Sequence, residues 1–351
     1  MFSRNGRTTK RTGKQVERNL VNGRHVSYPV MRERDLTLTM YRKFLLCLAM
    51  TAVIGFTVFS GCTSSSPPEY SVTPASEKTP VVHTAAETRA TLHAVQQAAT
   101  TPAVLPAGTK EHTFAYVLNG VKGTVSVPMS DSVYADYAKK PDPAYKPPYD
   151  AATNSSYYRA YMEDAEQQPA IAALAQAIRE KTTDADDQAR IAVSLVQHIP
   201  YKQGSKQYRY PYEVLYRNQG VCGEKSMLLA QLLKQLGFGS SVFYFLPEDH
   251  MAAGIKASSP YDFRNSGYAF IEATEPFIIT DSMTDTLAQW KFTSTMEITP
   301  AGTGKALESI AGDSGDARQW AALEAKIKSL SPAEHEAWNV LNTKYDMSYY
   351  T

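Results

Sequence analysis

Cysteine is scarce in this chain. Three occur in 351 residues: Cys47, Cys62 and Cys222. That number excludes a disulfide framework and any zinc site built on paired CxxC motifs. No His, Asp or Glu pair stands at metal-ligand spacing, so neither a metal nor a cofactor is expected. Basic charge is scarce beyond the N-terminus. Residues 1–61 carry 11 Lys and Arg against 3 Asp and Glu, leaving 25 basic and 32 acidic residues for the remainder, a net of −7. A body of that charge offers no basic face, and with no RNA-binding or helix-turn-helix signature it excludes nucleic acid as a partner. Long apolar runs are nearly absent as well. The run from Phe44 to Phe59 is 16 residues, short of the ~20 that a spanning helix needs.

What surrounds that run gives it a meaning. Met40-Tyr41-Arg42-Lys43 precedes it, and Ser60-Gly61-Cys62 and a Thr/Ser/Pro stretch follow. A short basic region, a compact apolar core and small residues at a cut site make residues 40–61 an export signal. The Phe59-Ser60-Gly61-Cys62 segment resembles a lipoprotein lipobox, which implies lipidation of Cys62. The rival reading is an uncleaved signal anchor. Residues 1–39 are basic and lack apolar periodicity, so they are expected to be disordered. A signal that begins at Met40 points to translation starting there. Residues 62–110 are Ser/Thr/Pro/Ala-rich and read as a flexible stalk. The body is therefore expected at the cell membrane, tethered on its extracytoplasmic side.

The body opens with β-prone runs on both sides of Asn119-Gly120, a strong hairpin signal. A Pro/Tyr-rich loop is expected from Pro141 to about Tyr158, completing an N-terminal part over 111–168. From 169 to 290 the grammar is helices followed by strands. Pro169 starts a helix with Ile171, Leu174, Ala175 and Ile178 on one face. A second begins near Thr183 with a stripe of Ile191, Ala192, Leu195, Val196 and Ile199, and Pro200 ends it. A third follows Cys222, with Leu228, Leu229, Leu232, Leu233 and Leu236 as its buried stripe and Gly237 and Gly239 at its end. Strands are expected at Ser241–Leu246, His250–Lys256, Gly267–Glu272 and Phe277–Thr280. The fold class is α+β, with helices segregated against an antiparallel sheet. Residues 291–351 form an extension with two helices beyond Gly315, the second opened by Ser331-Pro332.

Cys222 stands at the predicted start of a buried helix. There the unpaired N–H groups and the positive end of the dipole favour a thiolate. The same groups can receive the oxyanion that forms when a carbonyl is attacked. Gly220 and Gly223 would let a substrate backbone approach closely. A thiol nucleophile needs a base within reach and a third group to orient that base. His250 begins a strand 28 residues later, and Glu272 ends the next strand 22 residues beyond. Asp281 is the second candidate for the orienting acid. His198, at a helix end, reads as a partner of the helix dipole. Tyr201 could assist the oxyanion or simply pack.

The order Cys222, His250, Glu272 resembles the transglutaminase-like superfamily of papain-type folds. In that family a helix-start Cys is followed by a strand His and a next-strand Asp before a small residue and Thr, here Glu272-Ala273-Thr274. An archaeal and bacterial subgroup is nearer, through Ile199-Pro200-Tyr201, Tyr210-Pro211 with Glu213 and Leu215, and His250-Met251. The resemblance spans about Ala170 to Asp281. Two departures stand out: Val221 where many relatives carry Asp before the Cys, and Glu272 for the commoner Asp.

The resemblance implies a papain/transglutaminase-like core and a membrane-tethered thiol enzyme. Cys222 would attack amide bonds of peptides or proteins through an acyl-Cys intermediate, with hydrolysis expected over cross-linking. The alternative is a non-catalytic module that holds a peptide or envelope partner in the same cleft, since fold does not dictate function.

Overall fold

A computed structural model of the chain describes residues 19–21, 24–26, 107–148, 150–282, 292 and 295–347. The expected export signal, the expected lipidation of Cys62, the expected start at Met40 and most of the expected stalk lie outside the described residues. The chain divides into two units, Met1–Ala94 and Val95–Thr351. In the first, β1 (Asn19–Val21) pairs antiparallel with β2 (Arg24–Val26), a pairing that the sequence reading did not place.

The second unit opens with β3 (Thr109–Leu118) and β4 (Val121–Ser130), joined as a hairpin. Asn119 and Gly120 connect them, both at positive φ, 51° and 79°. That is the geometry a two-residue turn needs to match strand twist. The Pro/Tyr-rich segment is shorter than expected. A first helix, α1 (Asp131–Lys139), precedes it, and α2 (Ala151–Met162) takes over its second half. The Asp150 carboxylate caps α2 by accepting from the Thr153 N–H, an N-cap that hides among tyrosines in the sequence.

Helix α3 (Gln168–Arg179) buries Ile171, Leu174, Ala175 and Ile178 as the periodicity requires. Helix α4 (Ala185–Gln197) is capped by Asp184 rather than Thr183. Asp186 lies in the first turn of α4, and its carboxylate accepts from the Ser309 N–H and hydroxyl. A short α5 (Pro211–Arg217) then leads to α6 (Cys222–Gln235), nearly every residue of which is buried. Gly237, at φ 92°, ends α6 in the left-handed conformation. Gly239 already belongs to the next strand.

Four strands form one antiparallel sheet in the order β7-β6-β5-β8. They are β5 (Gly239–Phe245), β6 (His250–Lys256), β7 (Tyr268–Ile271) and β8 (Glu297–Thr303). The expected strand at Phe277–Thr280 is absent. Those residues run as loop and turn, with Thr280 at φ 77°. The strand beside β5 instead comes from residues 297–303, which the sequence reading left to the C-terminal extension. Helix α6 lies against β5, β6 and β8 on one side and α3, α4 and α5 on the others. Such a helix, buried all round, must be apolar all round or satisfy its polar groups internally. Last come α7 (Ile310–Glu324) and α8 (Pro332–Tyr345). Trp320 and Trp338 stack between them with centroids 3.8 Å apart. Ser331 and Glu334 form a capping box at the start of α8. Among the described residues no helix is long and apolar enough to cross a membrane.

Candidate active site

The three sequence-predicted residues come together. Cys222 is the first residue of α6, His250 the first of β6, and Glu272 follows the last residue of β7. Strands β6 and β7 pair antiparallel, Ala253 opposite Ile271, so the start of one lies beside the end of the other. His250 Nε2 bonds Glu272 Oε2 at 2.8 Å. The Cys222 thiol is close enough to the same ring to help raise its pKa. The acid on the ring is Glu272, not Asp281.

Glu272 is 1% exposed, where a carboxylate is stable only if its oxygens are satisfied. They are. Oε1 accepts from the Thr274 N–H at 2.9 Å and the Thr274 hydroxyl at 2.7 Å. Burial pushes the Glu272 pKa up, but His250 and the Thr274 donors outweigh it and hold the carboxyl below its ordinary value. Burial likewise opposes charge on His250. The Glu272 carboxylate and the nearby Cys222 thiol overcome it and raise the imidazole to about 10. The ring is thus a cation across neutral pH. Phe292 stacks on it, centroids 5.3 Å apart.

The start of α6 is built to leave its first turn open. Its N-cap is Val221, which has no side-chain oxygen to offer. Glu224 turns back to accept from the Val221 N–H at 3.0 Å and from the Arg209 N–H at 2.7 Å. Arg209 Nη1 adds an ion pair to Glu224 Oε2 at 3.2 Å, wholly buried. The Pro200–Lys202 segment runs alongside residue 220: Tyr201 bridges Gly220, the Gly220 N–H bonds the Pro200 carbonyl, and the Lys202 N–H bonds the Gly220 carbonyl. This brings Tyr201 close to Cys222, whose neighbourhood helps push the tyrosine pKa up. Tyr201 is itself 58% exposed, so Cys222 rather than burial is the cause that its setting supports, and the hydroxyl stays protonated.

The glycines beside Cys222 are not openings for substrate. A Cβ on Gly223 would meet Met251 Sδ at 2.7 Å and Tyr208 Cε1 at 2.8 Å, and one on Gly220 would meet Lys225 Cγ at 3.0 Å. Their missing side chains make room for the protein's own. His198 is a helix-end residue as expected: its Nδ1 donates to the Ser194 carbonyl at 2.7 Å and its Nε2 lies 3.2 Å from Asp346.

The sequence reading missed several residues of this site. Gln197 Nε2 donates to the carbonyls of Glu272 and Phe277, at 2.8 and 3.0 Å. Lys225 is fully buried behind Cys222. That one was legible, since the Leu228/Leu229/Leu232 stripe, extended one turn back, falls on residue 225. Phe292 had no such signal. No group of three or more His, Cys, Asp or Glu that could hold a metal occurs among the described residues. Comparison with protein families, with curated proteins and with solved structures finds no match for this chain.

Proposed function

We propose that this chain is a thiol acyl-transfer enzyme with a papain/transglutaminase-like core, held at the extracytoplasmic face of a membrane through its N-terminal segment. Cys222 Sγ attacks the carbonyl carbon of an amide in a peptide or protein. The carbonyl electrons move to oxygen, and the N–H groups at the open start of α6 receive the oxyanion. As the oxyanion collapses the C–N bond breaks, and His250 gives its proton to the departing amine. Water then attacks the acyl-Cys222, returns a proton to His250 and releases the carboxylic acid. Glu272 keeps the ring oriented and stabilises its charge.

One observation carries this reading. A thiol at a helix start shares a buried imidazole with a carboxylate whose own lone pairs are filled by a neighbouring turn. A structural cysteine has no need of that chain. One observation favours the alternative, a peptide-binding module without turnover: the segment of Tyr201 bridges Gly220 and brings the tyrosine close to Cys222, on the side where an attacking sulfur and an oxyanion need space.

Reaction of the folded chain with iodoacetamide between pH 6 and 8 separates the two. A catalytic site gives rapid alkylation of Cys222 that His250→Ala slows by ~10²-fold or more. Alkylation that proceeds only after unfolding, and is indifferent to His250→Ala, leaves the binding module as the reading.

A further inference from the structure

Lys225 has a setting that none of the steps above uses. It sits on α6 one turn after Cys222 and is 0% exposed. Its ammonium meets three backbone carbonyls: Gln197 at 3.1 Å, Ile199 at 2.6 Å and Thr274 at 2.7 Å. Lysine is almost never fully buried unless its charge is met. Here the Gln197 carbonyl belongs to the last residue of α4 and the Ile199 carbonyl lies two residues beyond it, where helix-end carbonyls lack intrahelical partners and the dipole is negative. The third belongs to the residue whose N–H and hydroxyl grip Glu272. In its charged form the amine gives all three N–H groups to these carbonyls, and at 0% exposure it has no contact with solvent.

Those carbonyls lie on two walls of the candidate site. Ile199 leads directly into Pro200 and Tyr201, the segment that bridges Gly220 and reaches Cys222. Thr274 fixes the far oxygen of Glu272, whose near oxygen holds His250. Lys225 is anchored on the third wall, the helix that presents the thiol. Gln197 adds a parallel tie, donating to the Glu272 and Phe277 carbonyls.

On the reading that this is a thiol enzyme, we infer that Lys225 is a positioning residue: its buried ammonium holds the Glu272–Thr274 and Ile199–Tyr201 segments in register with Cys222. It acts through Glu272 and touches no reacting atom. Loss of its three donors would orphan three buried carbonyls and loosen the turn that presents the carboxylate to His250. Displacements near 1 Å in such a constellation cost on the order of 10²-fold in rate.

The test uses the full chain labelled with ¹⁵N-histidine. His250 Nε2–H, bonded to a carboxylate, gives a downfield proton resonance assigned by its loss in His250→Ala. In Lys225→Met, shown by a cooperative melt to be folded, that resonance should vanish or move upfield. In Lys225→Arg, which keeps a charged donor set, it should be at least partly retained. The same resonance, unmoved in folded Lys225→Met, overturns the proposal. Should Lys225→Met fail to fold, Lys225→Gln, whose amide reaches at most two of the carbonyls, takes its place under the same criterion. Cys222 alkylation rates are read in parallel. A wild type that alkylates no faster than His250→Ala refutes the enzyme reading, while the resonance still decides whether Lys225 positions Glu272. In an active wild type, Lys225→Met should lose on the order of 10²-fold in rate and lose far less in a Glu272→Gln background, because the two act as one unit.

Discussion

Glu272 and His250 meet at 2.8 Å from opposite ends of two paired strands, and the glutamate spends only one of its oxygens on the contact. The other is closed by Thr274, two residues on in the chain. Glu, one methylene longer than Asp, therefore uses its reach: one carboxylate bonds a ring on the neighbouring strand while staying tied to its own turn.

The variants of this triad should rank by what each leaves behind. Cys222→Ala removes covalent chemistry altogether, because Cys222 is the one cysteine of the body. His250→Ala should nearly match it, since nucleophile and base act as a unit. Glu272→Gln keeps a hydrogen bond to the ring without the charge, and should lose ~10- to 1000-fold in the rate of Cys222 acylation, less than the ~10⁴ of a serine-protease aspartate. Glu272→Asp should fare no better than Glu272→Gln. An Asp at this position will bond the N–H two residues on, as Asp does in turns, and so withdraw from His250. Single-turnover acylation of the four variants gives the order, and an Asp variant near wild type would contradict it.

Glycine position decides sign as well as size. Gly223→Ala drives a methyl within 3 Å of Met251 and Tyr208, and overpacking of this kind costs ~1–3 kcal/mol. It should also slow Cys222 alkylation, because Met251 is the neighbour of His250. Gly312 lies within α7, exposed, with nothing inside 4 Å of an added Cβ. Gly312→Ala should stabilise the fold by ~0.5–1 kcal/mol and leave alkylation unchanged. Urea unfolding of both variants reads the two signs, and a destabilising Gly312→Ala would show the open face to be in use.

How much of this was legible in the sequence follows from the range of each interaction. The Asn119-Gly120 turn and the stripe of Ile171, Leu174 and Ile178 were readable because local sterics and period fix them. The thiol, histidine and glutamate were readable because each sits at an element end, and the ends of adjacent elements meet. Strand β8 was not readable. It joins the sheet across residues 283–296, and nothing local distinguishes Glu297–Thr303 from the expected strand at Phe277–Thr280, which contains two isoleucines but is pulled into a turn at Thr280. Gln197 and Phe292 were hidden for the same reason, since their partners lie 75 and 42 residues away. The glycines beside Cys222 were misread because a sequence cannot say which neighbour needs the space.

The buried pair beneath the thiol helix makes a strong stability prediction. Arg209 and Glu224 are 4% and 1% exposed, and Arg209 also donates to the carbonyls of Gln219 and Lys202, at 2.9 and 3.1 Å. Arg209→Met would leave Glu224 charged, buried and half-satisfied, at a cost of ~3–5 kcal/mol. Glu224→Gln should cost less, because its amide oxygen can still accept from the Val221 N–H. Chemical denaturation gives both numbers. If Arg209→Met proves the milder of the two, burial at this pair is not what its geometry implies.

The last prediction concerns pH, where His250 and Lys225 pull in opposite directions. Folding raises His250 from its ordinary 6.5 to about 10. A raised group contributes stability that is complete below ~6.5 and is lost as pH climbs toward 10. Folding lowers Lys225 from 10.5 to about 7, chiefly by burial, against the attraction of Glu272 and Glu275. A lowered cation costs stability in full below ~7, and the cost is relieved as pH climbs toward 10.5. Across pH 7 to 10 the two slopes therefore oppose, and the wild type should be flatter than His250→Ala. His250→Ala leaves the Lys225 slope alone, so its stability relative to wild type should rise over this window. Lys225→Met removes the Lys225 slope and, by loosening Glu272, also weakens the His250 slope, so the comparison is carried by His250→Ala. Each slope is at most about 1.4 kcal/mol per pH unit, and taking variant minus wild type cancels the other lysines and tyrosines that titrate in the same range. Urea unfolding at pH 7, 8, 9 and 10 supplies the measurement. A His250→Ala stability that falls relative to wild type over this window would mean that His250 does not carry the charge its surroundings dictate.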